Sequence, residues 1–192
     1  GLPAAEVTLA EALQQRGYRT GIFGKWHLGD APHARPTRHG FDEWLGVPYS
    51  NDMDWVDEPG FEELVAMSRR GDAEGYAKII ARRATKYADP EESHFATPLV
   101  RSQHRDGEFV DSVEQPTVQA NLTRRYTEAA VQFMKVNRDQ PFFVYLPYTM
   151  PHTPLFRSAD FVGKSIGGRY GDVVEEIDWS VGQIRQALRA LN

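Results

Sequence analysis

The 192 residues contain no cysteine, which excludes a disulfide, a thiolate zinc centre and a cysteine nucleophile within them. No apolar run approaches the roughly 18 residues of a membrane span, so no membrane partner is expected. Positive charge is not in excess: 22 Lys and Arg stand against 27 Asp and Glu, a formal net charge of -5. The basic residues lie scattered among acids, which argues against a nucleic-acid partner. Gly1-Leu2-Pro3-Ala4 offers neither an initiator Met nor a charged and then apolar leader. The last residues, Leu188 to Asn192, leave a helix without a Gly or Pro stop. Both ends are therefore expected to lie inside a longer protein.

What is present suits one globular unit, with 41% hydrophobic residues to build a core. Thr8-Leu9-Ala10-Glu11 is a capping-box pattern that predicts a helix from about Thr8 to Arg16, closed by Gly17. Tyr18 to Phe23 then reads as a strand, 30–40 as a loop rich in Pro, His and Arg, and 41–47 as a short ordered stretch. Helices are predicted over 61–69 and 73–86, inside a segment 52–114 that otherwise reads as an irregular insertion or substrate-loop region. Val118, Leu122, Tyr126, Ala129, Ala130, Phe133 and Met134 place a helix within 116–137. Phe142 to Tyr148 is a continuous apolar run, as a central parallel strand buried on both faces requires. A last helix from about Asp172 to Leu191 is predicted to bury Val173, Val174, Ile177, Val181, Ile184 and Leu188 on one stripe. Each helix–strand pair delivers a polar motif to a strand's C-terminal end, where open α/β sheets bind ligands.

Lys25 and His27, bracketed by Gly24 and Gly29, would share one side of an extended backbone with Trp26 on the other. A cation and an imidazole so placed suit an anion, although residue types alone fit equally an ordinary strand-end Lys and a partly buried His. His152 stands between Pro151 and Pro154 in a stiff loop after a strand. His33, His39, His94 and His104 show no ligand spacing on any predicted element, so they read as solvated loop residues and no metal ligand is assigned in the chain.

The run Leu13-Gln14-Gln15-Arg16-Gly17-Tyr18-Arg19-Thr20-Gly21-Ile22-Phe23-Gly24-Lys25-Trp26-His27-Leu28-Gly29 resembles the second signature of the type I, formylglycine-dependent sulfatases. These form the arylsulfatase-like branch of the alkaline phosphatase superfamily. Gly40-Phe41-Asp42-Glu43-Trp44 with Leu45 to Asp52 resembles the family's next stretch, Pro141 to Pro154 its strand with a sulfate-binding His, and Glu175 to Gly182 its following helix. Only 52–114 finds no counterpart.

The resemblance implies an α/β fold, part of an alkaline-phosphatase-like sandwich whose mostly parallel central sheet is flanked by helices. It implies hydrolysis of a sulfate ester, on a small molecule or a carbohydrate. Lys25 would pair with sulfate oxygens and the aldehyde hydrate, and His27 would act as base on that hydrate. Ser50 would hydrogen-bond the hydrate or His27, and His152 would bind sulfate and help protonate the leaving alcohol. The implied formylglycine arises in a Cys/Ser-x-Pro-x-Arg motif upstream of this segment, and the implied calcium is held by Asp and Asn pairs outside it. The chain is thus expected to be the inactive middle of an enzyme that is periplasmic, secreted or lysosomal, with self-association among its expected behaviours. Two alternatives stay open: a phosphohydrolase of the same superfamily, and a pseudoenzyme or module that binds sulfated ligands without a nucleophile.

Overall fold

The computed structural model describes residues 1–191; the open helix end expected at Asn192 lies outside them. Helix α1 (Leu9–Gln14) begins as its sequence dictates. Thr8 Oγ1 accepts the Glu11 N–H at 3.1 Å, while the Glu11 carboxylate accepts the Thr8 N–H at 2.7 Å. Strands β1 (Arg19–Phe23) and β2 (Glu43–Gly46) follow, joined through two 3-10 turns. Helices α2 (Phe61–Arg69) and α3 (Ala73–Ala88) come next, then strands β3 (Leu99–Arg105) and β4 (Glu108–Glu114). Helix α4 (Leu122–Val136), strand β5 (Phe142–Tyr145) and helix α5 (Gly168–Ala190) complete the order.

The five strands form one sheet in the order β4-β3-β2-β1-β5. The α/β class holds, and the sheet is mixed. β1 pairs parallel with both β2 and β5, whereas β2–β3 and β3–β4 are antiparallel. Alternation divides the side chains between two cores. Phe23, Leu45 and Leu99 face α4 with Tyr126, Phe133 and Met134, while Ile22, Trp44 and Val100 face the α1 side with Ala10, Trp26 and Phe41.

Three expectations change. The segment 52–114 is not irregular throughout, because its second part is the β3–β4 hairpin that extends the sheet. β5 carries apolar side chains to both faces, Phe142 and Val144 to one core and Phe143 to the other. Among the described residues, however, it pairs only with β1, so it is an edge strand rather than a central one. On α5 the buried residues are Asp172, Val173, Glu176, Ser180 and Ala187, and Ile177 and Ile184 pack against the cores as expected, while Val174, Val181 and Leu188 are exposed. The reason is polar: Ser180 Oγ lies 2.5 Å from Thr127 Oγ1 and 2.6 Å from Tyr148 Oη, and this seam of hydroxyls turns the helix about its axis.

Candidate active site

Because β2, β1 and β5 run parallel, their C-terminal ends reach one edge of the sheet, and the chain beyond each end holds the others. The segment after β1 bonds to its neighbours residue by residue. Gly24 N–H donates to Leu45 O at 2.9 Å, Lys25 N–H to Pro147 O at 2.8 Å, Trp26 N–H to Val47 O at 3.0 Å and His27 N–H to Pro48 O at 2.7 Å. Lys25 thus leans on the β5 arm, and the residues around it on the β2 arm. Such close approach needs two glycines: a Cβ on Gly24 would run into the Pro147 carbonyl oxygen, and one on Gly46 into the Gly24 carbonyl oxygen.

Trp26 points into the core, as the alternation predicts, and its indole N–H donates to Ala34 O at 2.8 Å. Lys25 is half-buried and His27 exposed. The extended backbone stops at His27, whose φ is +63, a conformation that costs a non-glycine residue about 1–3 kcal/mol. The Pro48 hydrogen bond holds it there and turns its ring to Ser50. His27 Nδ1 lies 3.5 Å from the buried Ser50 Oγ, long for a hydrogen bond, and the His27 ring packs edge-on against Tyr49 at 5.5 Å.

His152 stands on the β5 arm, exposed, with Nδ1 2.6 Å from the Thr153 carbonyl oxygen. The Nδ1–H is therefore the donor and Nε2 is left open to solvent. Burial pushes the His27 pKa below its ordinary value, and the charges of Lys25 and then His152 push the same way while Asp52 opposes them. Lys25 and His27 therefore share one electrostatic neighbourhood with His152, far from them in sequence, and Ser50 stands beside His27. Among the described residues no carboxylate forms an ion pair with Lys25, so its charge is available to an anion.

The other histidines do not join this cluster. His39 is not a solvated loop residue: it is fully buried against Trp26, with ring centroids 6.1 Å apart, and neither ring nitrogen has a partner among the described residues. Sequence reading also passed over Asn51 and Asp52. Fully buried Asn51 donates from Nδ2 to Gln119 Oε1 at 2.7 Å, and Asp52 accepts the Tyr87 hydroxyl at 3.0 Å. Their signal in the sequence is their place beside Ser50 in the stretch Leu45 to Asp52. A cleft of 610 Å³ lies at the opposite end of the strands, lined by Arg19, Asp42, Glu43 and Arg101 among others. Two of its arginines are paired with its own acids, Arg19 with Asp42 at 3.5 Å and Arg101 with Glu43 at 3.1 Å.

No group of three or more His, Asp or Glu gathers to hold a metal among the described residues, so these residues do not form a calcium shell. No helix is long and apolar enough to cross a membrane.

The sequence profile of the Sulfatase family matches residues 1–192. The chain is 34% identical to steryl-sulfatase of Homo sapiens, over 100% of this chain and 38% of that protein. It is 35% identical to N-acetylgalactosamine-6-sulfatase of Mus musculus, over 100% of this chain and 31% of that protein. With arylsulfatase G of Canis lupus familiaris the identity is 37%, over 96% of this chain and 32% of that protein. The chain therefore spans about a third of the length of the curated relatives it matches. Among solved structures, the PsFucS1 sulfatase from Pseudoalteromonas sp. has the same fold, with a TM-score of 0.70 at 20% identity over 97% of this chain and 35% of that one. Ps i-CgsB aligns over 100% of this chain and 38% of that one, with a TM-score of 0.62 and 26% identity. The chain belongs to the sulfatase family, in the alkaline phosphatase superfamily.

Proposed function

We propose that the whole protein is a sulfuric ester hydrolase and that this chain supplies the cationic and proton-handling half of its site. The observation that carries the reading is the convergence of Lys25, His27, Ser50 and His152 at the C-terminal ends of the parallel strands, with Lys25 free of a carboxylate partner among the described residues.

In the proposed reaction Lys25 sits against a sulfate oxygen and offsets the negative charge that builds as the S–O bond breaks. His152, with Nδ1–H held by the Thr153 carbonyl, presents Nε2 to the ester oxygen. Protonated, it donates that proton to the departing alkoxide, which leaves as a neutral alcohol. His27, whose pKa desolvation and the Lys25 and His152 charges hold below its ordinary value, can take up a proton, with Ser50 beside its Nδ1. The nucleophile comes from elsewhere, since the chain contains neither a cysteine nor a Ser-x-Pro-x-Arg motif. In the type I branch that the signature resembles, it is a formylglycine. A calcium ion would likewise take ligands from outside this chain.

The substrate class is a sulfate ester of a carbohydrate or a small hydrophobic alcohol. A sulfated carbohydrate is supported by the relation to Ps i-CgsB, also solved in complex with k-i-k-neocarrahexaose. A periplasmic, secreted or lysosomal setting goes with the family.

The test is steady-state hydrolysis of 4-nitrophenyl sulfate and of sulfated oligosaccharides by the full-length protein. Lys25→Ala and His152→Ala should each lower kcat/KM by about 10²–10⁴-fold. Undiminished turnover by Lys25→Ala, or a preference for the matching phosphate ester, would overturn the proposal.

A further inference from the structure

The two arms that carry Ser50 and His152 leave different strands, β2 and β5, and one side chain joins them. Asn51 is fully buried next to Ser50, and its Nδ2 donates at 3.1 Å to the carbonyl oxygen of Pro154, two residues beyond His152. The same Nδ2 donates at 2.7 Å to Oε1 of buried Gln119, on the turn that begins α4. That turn is fixed in its own right, since the Glu92 carboxylate accepts the N–H groups of Gln119 and Ala120 at 2.9 and 2.8 Å. The Asn51 carbonyl accepts the Thr97 hydroxyl at 3.3 Å, which anchors the β2 arm to the approach to β3.

This junction does not serve stability best. Asn51 Oδ1 and Gln119 Nε2 are buried without partners among the described residues, and an apolar pair of the same shape would avoid that cost. Polar groups half-satisfied beside a site are expected where direction matters more than stability. We propose that Asn51 is a positioning residue: its amide sets the Ser50 arm and the His152 arm at a fixed separation, and so sets the distance between His27 and His152. The inference rests on the sulfatase reading for its effect on turnover, but its geometric content stands apart from turnover.

The test uses the full-length protein, Asn51→Ala, and His27 titration followed by NMR with ¹³C-labelled histidine alongside kinetics on 4-nitrophenyl sulfate. The charged and titrating groups facing His27 are Lys25, His152 and Asp52, with Tyr49 against its ring. Freeing the His152 arm withdraws one of the two charges that hold the His27 pKa down. The His27 titration should then move up, while kcat falls about 10–100-fold and KM changes less than about threefold. In a His152→Ala background, Asn51→Ala should move the titration no further. Asn51→Ser, a donor too short to reach Pro154, should show the same direction if the alanine variant folds poorly. An unmoved His27 titration with kcat tracking only the folded fraction overturns the proposal, as does a shift undiminished in the His152→Ala background. If the wild type hydrolyses no sulfate ester, the sulfatase reading fails, and the titration still decides the role of Asn51.

Discussion

Three glycines, Gly17 ahead of β1 and Gly24 and Gly46 at the candidate site, separate conformation from crowding. Gly17 has a φ of +81 and open space where an added methyl group would stand, so Gly17→Ala tests conformation alone and should cost about 1 kcal/mol. Gly46 has no left-handed φ, but its Cβ would enter the Gly24 carbonyl oxygen, so Gly46→Ala should cost about 1–3 kcal/mol through crowding. Gly24 combines the two, with a φ of +143 and a Cβ that would enter the Pro147 carbonyl oxygen. That oxygen cannot withdraw without stretching the 2.8 Å bond from Lys25 N–H. Conformation, crowding and a weakened hydrogen bond together put Gly24→Ala at about 3–5 kcal/mol. Set against a typical stability of about 5–15 kcal/mol, that is a large share. Urea unfolding followed by circular dichroism, with the m-value checked for constancy, gives the three values side by side. If Gly24→Ala is no more costly than Gly17→Ala, the packed junction of the three arms is not as described.

Two buried titratable groups give opposite pH slopes. Burial holds the His39 pKa below its ordinary value, His33 adds to this and Glu11 opposes it. The folded state thus keeps His39 neutral, so its contribution is whole above about pH 6.5 and declines as the pH falls from there through the folded pKa. His39→Phe should flatten the fall in Tm between about pH 7 and pH 5, and an unchanged slope would count against it. Burial raises the Glu176 pKa despite the Ser158 N–H it accepts at 3.0 Å. Stability tied to its protonated form is whole below the ordinary carboxyl range and lost as the pH rises through the folded pKa. Glu176→Gln, which keeps an acceptor for Ser158, should raise Tm at neutral pH and lose that advantage near pH 4. The same gain at both pH values would refute this account.

Much of the candidate site was legible in the sequence because it follows from local rules. The capping box at Thr8 and Glu11 fixed where α1 starts, and period-2 alternation sent Trp26 inward between Lys25 and His27. The rule that α/β sheets bind ligands beyond their strand ends then put Lys25 and His152 on one edge. The β3–β4 hairpin was not legible. Both faces of β4 are exposed and mixed, with Val110 and Val113 beside Glu108 and Asp111, and the hairpin joins the sheet by pairing with β2, distant in sequence. The apolar run at β5 signalled two covered faces but not that β1 is its one partner among the described residues. The hydrophobic pattern of α5 misjudged its contact stripe because hydroxyls on Thr127, Tyr148 and Ser180, on three separate segments, decided it.

By itself, then, the sequence determined the helices, the strands other than the β3–β4 hairpin and the family signature, since caps, periods and motifs act over a few neighbouring residues. Only the tertiary structure decided that His27 leaves the extended backbone, that the His39 ring is buried with no partner for its nitrogens among the described residues, and that Asn51 ties the Ser50 arm to the His152 arm. Each of these depends on a contact between segments far apart in the chain, whose distances and bond directions exist only after the sheet has assembled.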